Sequence, residues 1–253
     1  MHTIDLNADL GEGFGQYRIG ADAALLPLLS SANVACGFHA GDPMTMRETV
    51  GAAARHGVAI GAHPGYPDLL GFGRRELGAT PAEVTAYVIY QIGALDAVCR
   101  ASGTRLRYVK PHGALYNRAA IDRIIADAIA DAVRLVDPTL TLLGLAGSQL
   151  IVAGRAAGLR TAAEAFADRA YASDGTLVPR SVAGAVVHDV DAVVARALRM
   201  VTTHTVTALD GTEIAVHADS LCVHGDTPGA VALVQALRAH FDHHGVGVAL
   251  FAE

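Results

Sequence analysis

Along nearly the whole chain, short apolar runs of strand length alternate with longer, Ala-rich stretches of helical period, and ionisable residues collect where the runs end. This alternation constrains the fold more than any other feature, because strands joined through helices pair in parallel. The runs Thr3–Asn7, Asn33–Cys36, Val58–Ala62, Leu106–Lys110, Thr139–Leu143, Arg160–Glu164, Ser220–Val223 and Val246–Phe251 read as strands. Met44–Arg55, Pro81–Arg100, Ala119–Val136 and Pro228–His240 read as helices, the second opened by the hydroxyl of Thr80, a proline in its first turn and Glu83. Asp210-Gly211 between alternating residues predicts a small hairpin inserted over 205–217. Pro138–Gly154 is uncharged but short for a membrane span and broken by Gly144, Gly147, Ser148 and Gln149, so it reads as strand, turn and helix start. With no Pro-, Gly- or Ser-rich linker and no repeat, residues 1–253 are expected to form one domain.

The strand ends carry the polar chemistry. The first run leads into Asn7, Asp9 and Glu12, the second into His39 and Asp42, and the third into His63 and Asp68. The fourth delivers Lys110 and His112, the sixth Glu164, Asp168 and Arg169, and the seventh His224 and Asp226. In a closed parallel barrel these positions converge on one rim, whereas an open sheet spreads them along an edge. The expected fold is therefore α/β, an irregular parallel (β/α) barrel of about seven or eight strands.

One of these residues stands apart in composition. Of nineteen Lys and Arg residues, Lys110 is the sole lysine, in the segment Val109-Lys-Pro-His-Gly113. An ammonium differs from guanidinium in being compact and able to lose its proton when desolvated, so a role that Arg cannot fill is one reading, and simple packing of its stem is the other. The net charge is −6 and no basic run is long enough to track a nucleic acid or an anionic membrane, so neither is an expected partner. Cys36, Cys99 and Cys222 form no Cys-x-x-Cys pair, and the first residues lack the regions of a signal peptide. A reducing, cytoplasmic setting is the expectation.

Several machines are excluded by their motifs. The sole lysine follows Val109, so there is no Walker A loop. Gly11-Glu-Gly13 and Gly71-Phe-Gly73 lack the third glycine of a dinucleotide site, and neither His-Glu-x-x-His nor Gly-x-Ser-x-Gly occurs. What remains suits polarising a carbonyl and activating water. Asp9, Asp168 or Asp226 are candidate general bases, His112 or His224 candidate proton shuttles, and Lys110 or Arg169 candidates for stabilising an oxyanion or holding a carboxylate. Asn7, Glu12, Glu164, Arg169 and Arg180 are candidate substrate contacts. A divalent metal on Asp9, His39 and His63 is an alternative, as is a Schiff base on Lys110.

Seven segments then carry a resemblance. Asp5–Gly15, Ser31–Pro43, Gly61–Asp68, Val109–Asn117, Phe166–Tyr171, Leu177–Ser181 and Cys222–Gly229, in this order, resemble the LamB/YcsF family, known as the A subunit of a bacterial ATP-dependent 5-oxoprolinase. The resemblance spans nearly the whole chain. It implies a deacetylase-like, irregular β/α barrel and cleavage of the 5-oxo-L-proline lactam to L-glutamate, coupled to ATP hydrolysis with its Mg, in a complex with subunits B and C. The family often has Cys where this chain has Ala8, so no thiol carries the chemistry at that position. A metal-dependent amidase or deacetylase acting without ATP, and a non-catalytic scaffold subunit, remain the competing readings.

Overall fold

The structure is a computed structural model that describes residues 2–223 and 229–251. In chain order its elements are β1 (Thr3–Leu10), α1 (Asp22–Leu25), β2 (Ser31–Ala35), α2 (Pro43–His56), β3 (Ala59–His63), α3 (Pro81–Ala101), β4 (Leu106–Val109), α4 (Gly113–Ile121) and α5 (Arg123–Val136). They continue with β5 (Thr141–Leu145), α6 (Gln149–Ala156), β6 (Thr161–Phe166), α7 (Val190–Thr202), β7 (Thr205–Thr207), β8 (Glu213–Ala215), β9 (Ser220–Val223), α8 (Ala230–His243) and β10 (Gly247–Val248). Strands β1 to β6 and then β9 pair in parallel, and β9 returns to β1, so seven strands close a barrel. The two-residue β10 adds to the start of β1 at Thr3 and Ile4, on the edge that β9 occupies further along. Strands β7 and β8 form an antiparallel hairpin of their own.

Local chemistry explains where the elements differ from expectation. The helix expected over Ala119–Val136 is two helices, because Asp122 is extended and its carboxylate accepts from the backbone of Ile124 and Ile125, starting α5 afresh. The fifth strand starts at Thr141, since Asp137 turns the chain by accepting from the amide and hydroxyl of Thr139. Only Gly247 and Val248 of the last run join the ladder, while Phe251 packs edge-on against Tyr108 with ring centroids 5.2 Å apart. The start of α3 is as expected: Thr80 and Glu83 cap each other's backbone amides, with Pro81 in the first turn.

The strand alternation sorts the chemistry. On β1, Ile4, Leu6, Ala8 and Leu10 face the helices and join the main apolar core, while Asp5, Asn7 and Asp9 face the barrel axis. Parallel barrels ordinarily fill their interior with branched apolar side chains. Here Asp5, Asn7, Ser31, Asn33, Glu164 and Ser220 occupy it, each fully buried. An unpaired buried polar group costs about 1 to 3 kcal/mol, so such an interior holds only if its members satisfy one another. They do. Asp5 accepts from the hydroxyls of Ser30 (2.6 Å), Ser31 (2.8 Å) and Ser220. Asn7 donates to Glu164 Oε1 (2.8 Å) and Ser220 Oγ (2.7 Å), and Asn33 donates to Asn7 Oδ1 (2.7 Å).

Candidate active site

The polar column ends at the carboxyl ends of the strands in Lys110. Its Nζ meets Glu164 Oε1 at 2.9 Å, Asp9 Oδ1 at 3.0 Å, Cys222 Sγ at 3.1 Å and Asn7 Oδ1 at 3.3 Å. Burial opposes the charge on this ammonium, but Asp9 and Glu164, with the Cys222 sulfur, outweigh it and hold Lys110 well above the ordinary lysine range. A charged ammonium has no lone pair to offer, which counts against the Schiff-base reading. Glu164 Oε2 accepts from the Tyr116 hydroxyl at 2.8 Å, so both of its oxygens are engaged.

Beside this pair lies an imidazole cluster. His63 directs Nδ1 to the Lys110 carbonyl at 2.8 Å, and His112 directs Nε2 to the Phe72 carbonyl at 2.8 Å. A carbonyl only accepts, so both of these nitrogens carry hydrogen. With both rings neutral, the other two nitrogens, His63 Nε2 and His112 Nδ1, face each other at 2.9 Å as two lone pairs, a contact that either a proton or a metal ion between them satisfies. His39 stacks flat on His112, with centroids 3.7 Å apart and an interplanar angle of 4°, and neither of its ring nitrogens makes a hydrogen bond among the described residues. Burial, and then repulsion from His112 and His63, holds His39 well below the usual imidazole range, and burial followed by His63 does the same to His112. Neutral imidazoles are the form that ligates a metal. Glu12 Oε1 lies 3.5 Å from His39 Nε2 and 3.7 Å from His112 Nδ1. One ligand atom from each of Glu12, His39, His63 and His112 falls within 4.8 Å of the others, a donor set that suits a divalent ion such as zinc.

The cluster brings His39 and His63, two of the ligands expected from sequence, together with Glu12 and His112, while Asp9 Oδ1 is held by Lys110 and by Asn33 Nδ2 at 2.8 Å. Asp9 Oδ2 still reaches His63 Nε2 at 3.3 Å. The loop that closes the cluster is shaped for it: a Cβ on Gly73 (φ 62°) would meet His39 Cβ at 2.7 Å and His112 Cδ2 at 2.8 Å. Next to it, Phe72 adopts φ 54°, a conformation that L residues seldom hold, and turns its carbonyl to His112.

Above these groups opens a cleft of about 430 Å³, lined among others by Asp9, His63, Arg74, Lys110, His112, Tyr116, Phe166, Arg169 and Arg180. Asn7 and Glu164, expected as substrate contacts, do not line it: both are fully buried and spent on each other and on Lys110. Asp168 is also buried away from the cleft lining, in the chain that follows β6. Arg169 lines the cleft but is first a clamp, donating through Nε to the Ala185 carbonyl (3.2 Å) and through Nη2 to that of Val178 (2.6 Å). Burial, and then the neighbouring Arg180, pushes its guanidinium down to about 10. Arg180 is exposed on the cleft wall. His224 and Asp226 lie outside the described residues. Asp42 and Asp68 serve locally, the first capping α2 and the second paired with Arg75. Sequence reasoning passed over Arg74, Tyr116, Asn33 and Tyr108; period-2 spacing along one strand, from Lys110 to Tyr108 and from Ser31 to Asn33, was the available signal for two of them.

In fold, the closed parallel barrel resembles the deacetylase-like β/α barrels. A structure of the T48 deacetylase with substrate superposes with a TM-score of 0.50 over 99% of this chain and 88% of that one, at 15% identity. The chain belongs to the LamB/YcsF family, whose model matches residues 4–253. It is 56% identical over 248 residues to the 5-oxoprolinase A subunit of Geobacillus thermodenitrificans (strain NG80-2), covering 98% of this chain and 96% of that relative. It is 53% identical over 252 residues to a 5-oxoprolinase A subunit of Agrobacterium fabrum (strain C58), covering 100% and 99%. The crystal structure of a lactam utilization protein from Thermus thermophilus superposes with a TM-score of 0.93 at 51% identity, over 98% of this chain and all of that one.

Proposed function

We propose that this chain is the subunit of an ATP-dependent 5-oxoprolinase that opens the lactam of 5-oxo-L-proline to L-glutamate, in an assembly with subunits B and C that hydrolyses ATP to ADP and phosphate. The observation that carries this reading is the Asp9–Lys110 pair beside buried imidazoles on the wall of a cleft that also presents Arg169 and Arg180. The shared subunit name of close relatives supports it.

A five-membered lactam is a poor electrophile; phosphorylation of its amide oxygen activates the ring carbon toward water, the C–N bond of the adduct then breaks to release the amine and leave an acyl phosphate, and hydrolysis of that acyl phosphate gives glutamate and phosphate. In this scheme Asp9, with Oδ1 anchored by Lys110 and Asn33 and Oδ2 directed toward His63, takes the proton from the attacking water. Lys110 offsets charge as it develops, and Arg180 holds the anionic groups of the substrate from a loop that Arg169 clamps. With no Walker A loop in the chain, ATP and its Mg bind either an unconventional site here or a partner subunit. ATP-dependent glutamate release from 5-oxoproline, assayed with this chain alone and then with subunits B and C, tests the proposal. Release in neither case defeats it, and tight ATP binding by the isolated chain puts the nucleotide here.

The opposed lone pairs of His63 and His112 favour a second reading, a metal-dependent amidase or deacetylase that acts without ATP. A divalent ion held by Glu12, His39, His63 and His112 would polarise a carbonyl and ease ionisation of water. That reading requires chelator-sensitive amide cleavage with no formation of ADP.

A further inference from the structure

Gly61 sits inside β3, paired with Asn33 of β2 on one edge and with Tyr108 of β4 on the other. A Cβ at Gly61 would fall within the Tyr108 ring, so the missing side chain is the space through which the phenol leans across β3. Through that gap the Tyr108 hydroxyl donates to Asn33 Oδ1 at 2.7 Å. Asn33 in turn donates to Asn7 Oδ1 at 2.7 Å and to Asp9 Oδ1 at 2.8 Å. Side chains of three strands, β4, β2 and β1, are joined across the gap in β3 in one line ending on the carboxylate that faces the cleft.

The line has a direction. Asn7 uses its amide nitrogen on Glu164 and Ser220, so its oxygen faces Asn33. Asp9 Oδ1 also faces Asn33 and only accepts. Asn33 must therefore present its nitrogen to β1 and its oxygen to β4, where a hydroxyl donor is needed to satisfy it. Turning the amide over would set its oxygen against two acceptors at once. Phe251 braces the phenol from its other side, edge-on.

We infer that Tyr108 is a positioning residue for Asp9, acting through the amide of Asn33, and that Gly61 is required to let it reach. The inference rests on the role given to Asp9 in the proposed reaction. Tyr108→Phe keeps the ring and removes the donor. In the complete assembly with subunits B and C it should lower kcat about ten-fold while KM for 5-oxoproline stays within about two-fold, because an anchor for the reacting carboxylate is lost and the binding groups are not. Gly61→Ala should cause a similar loss with the hydroxyl present, and the double variant should lose no more than the worse single one. The side-chain amide NMR signals of Asn33 in the full chain read the same link without turnover, and they should shift in Tyr108→Phe. If that variant does not fold, 3-fluorotyrosine at position 108, which keeps the ring and alters the hydroxyl, should shift them as well. Unmoved Asn33 signals, an unchanged kcat in an active assembly, or additive losses would overturn the inference. Shifted signals in an assembly whose unmodified form never turns over 5-oxoproline would sink the reaction and leave the link standing.

Discussion

Lys110 Nζ and Asp9 Oδ1 stand 3.0 Å apart at the carboxyl ends of β4 and β1, with side chains only 3% and 13% exposed. Lys110 serves Glu164 at the same time, so two carboxylates share one cation. Removing it leaves both without a counter-charge, and breaking a buried pair in this way costs about 3 to 5 kcal/mol. Lys110→Ala should therefore lower urea-denaturation stability by that order and abolish turnover. Lys110→Arg should not restore activity, because a planar guanidinium does not fit a cage of four partners within 3.3 Å. Borohydride added with 5-oxoproline should leave the mass of the protein unchanged; a stable adduct on Lys110 would refute the fixed-cation assignment.

Asp5 tunes stability rather than chemistry. Burial lifts its carboxyl from 3.8 to about 6, against the lowering effect of three serine hydroxyls. The folded state binds the proton more tightly than the unfolded chain, so this residue's contribution falls as pH rises from about 4 to 6, and above that range it is a constant penalty. Asp5→Asn should be more stable than the parent by on the order of 2 to 3 kcal/mol at pH 7.5, and equal to it below about pH 4. Denaturation curves at the two pH values check the sign; a gain that grows on acidification would contradict it.

The imidazole cluster makes a prediction readable without any assay of turnover. Zinc or cobalt at about one hundred times its Kd should raise the Tm of the full chain by about 5 °C or more, since binding to the folded state alone contributes about 2.7 kcal/mol. His39→Ala should remove most of that shift. An equal shift in the variant would place the ion elsewhere.

Arg180 is exposed on the cleft wall, so its loss should be felt by ligand and not by fold. Arg180→Ala should raise KM for 5-oxoproline about ten- to hundred-fold, the worth of one charge-assisted hydrogen bond, while stability stays within about 0.5 kcal/mol. A change confined to kcat would argue against a binding role.

The barrel and its rim were legible because one rule governs both. The strand period places Asp9, His63 and Lys110 at the carboxyl ends of neighbouring runs, and the βα alternation brings those ends together. The division of labour was not legible. Asn7 and Glu164 have the same polar signature as Asp9, and only the closed barrel shows that the first two are buried supports. Glu12 looked like a substrate contact, yet its carboxylate joins three histidines contributed by separate βα units, a relation with no local spacing to betray it. Arg169 reads as a free cation in sequence, whereas its guanidinium is occupied by carbonyls of Val178 and Ala185.

The way β1 is paired bears on how the chain is made. Asp5 to Ala8 take their partners from Ser220 to Val223, and Thr3 and Ile4 take theirs from Gly247 and Val248. A ribosome releases the amino terminus first. The opening strand, with three acidic or amide side chains aimed at the interior, completes its ladder and its hydrogen bonds only with segments far along the chain. Barrel closure thus depends on contacts of long sequence separation, and until they form β1 keeps an unpaired strand edge.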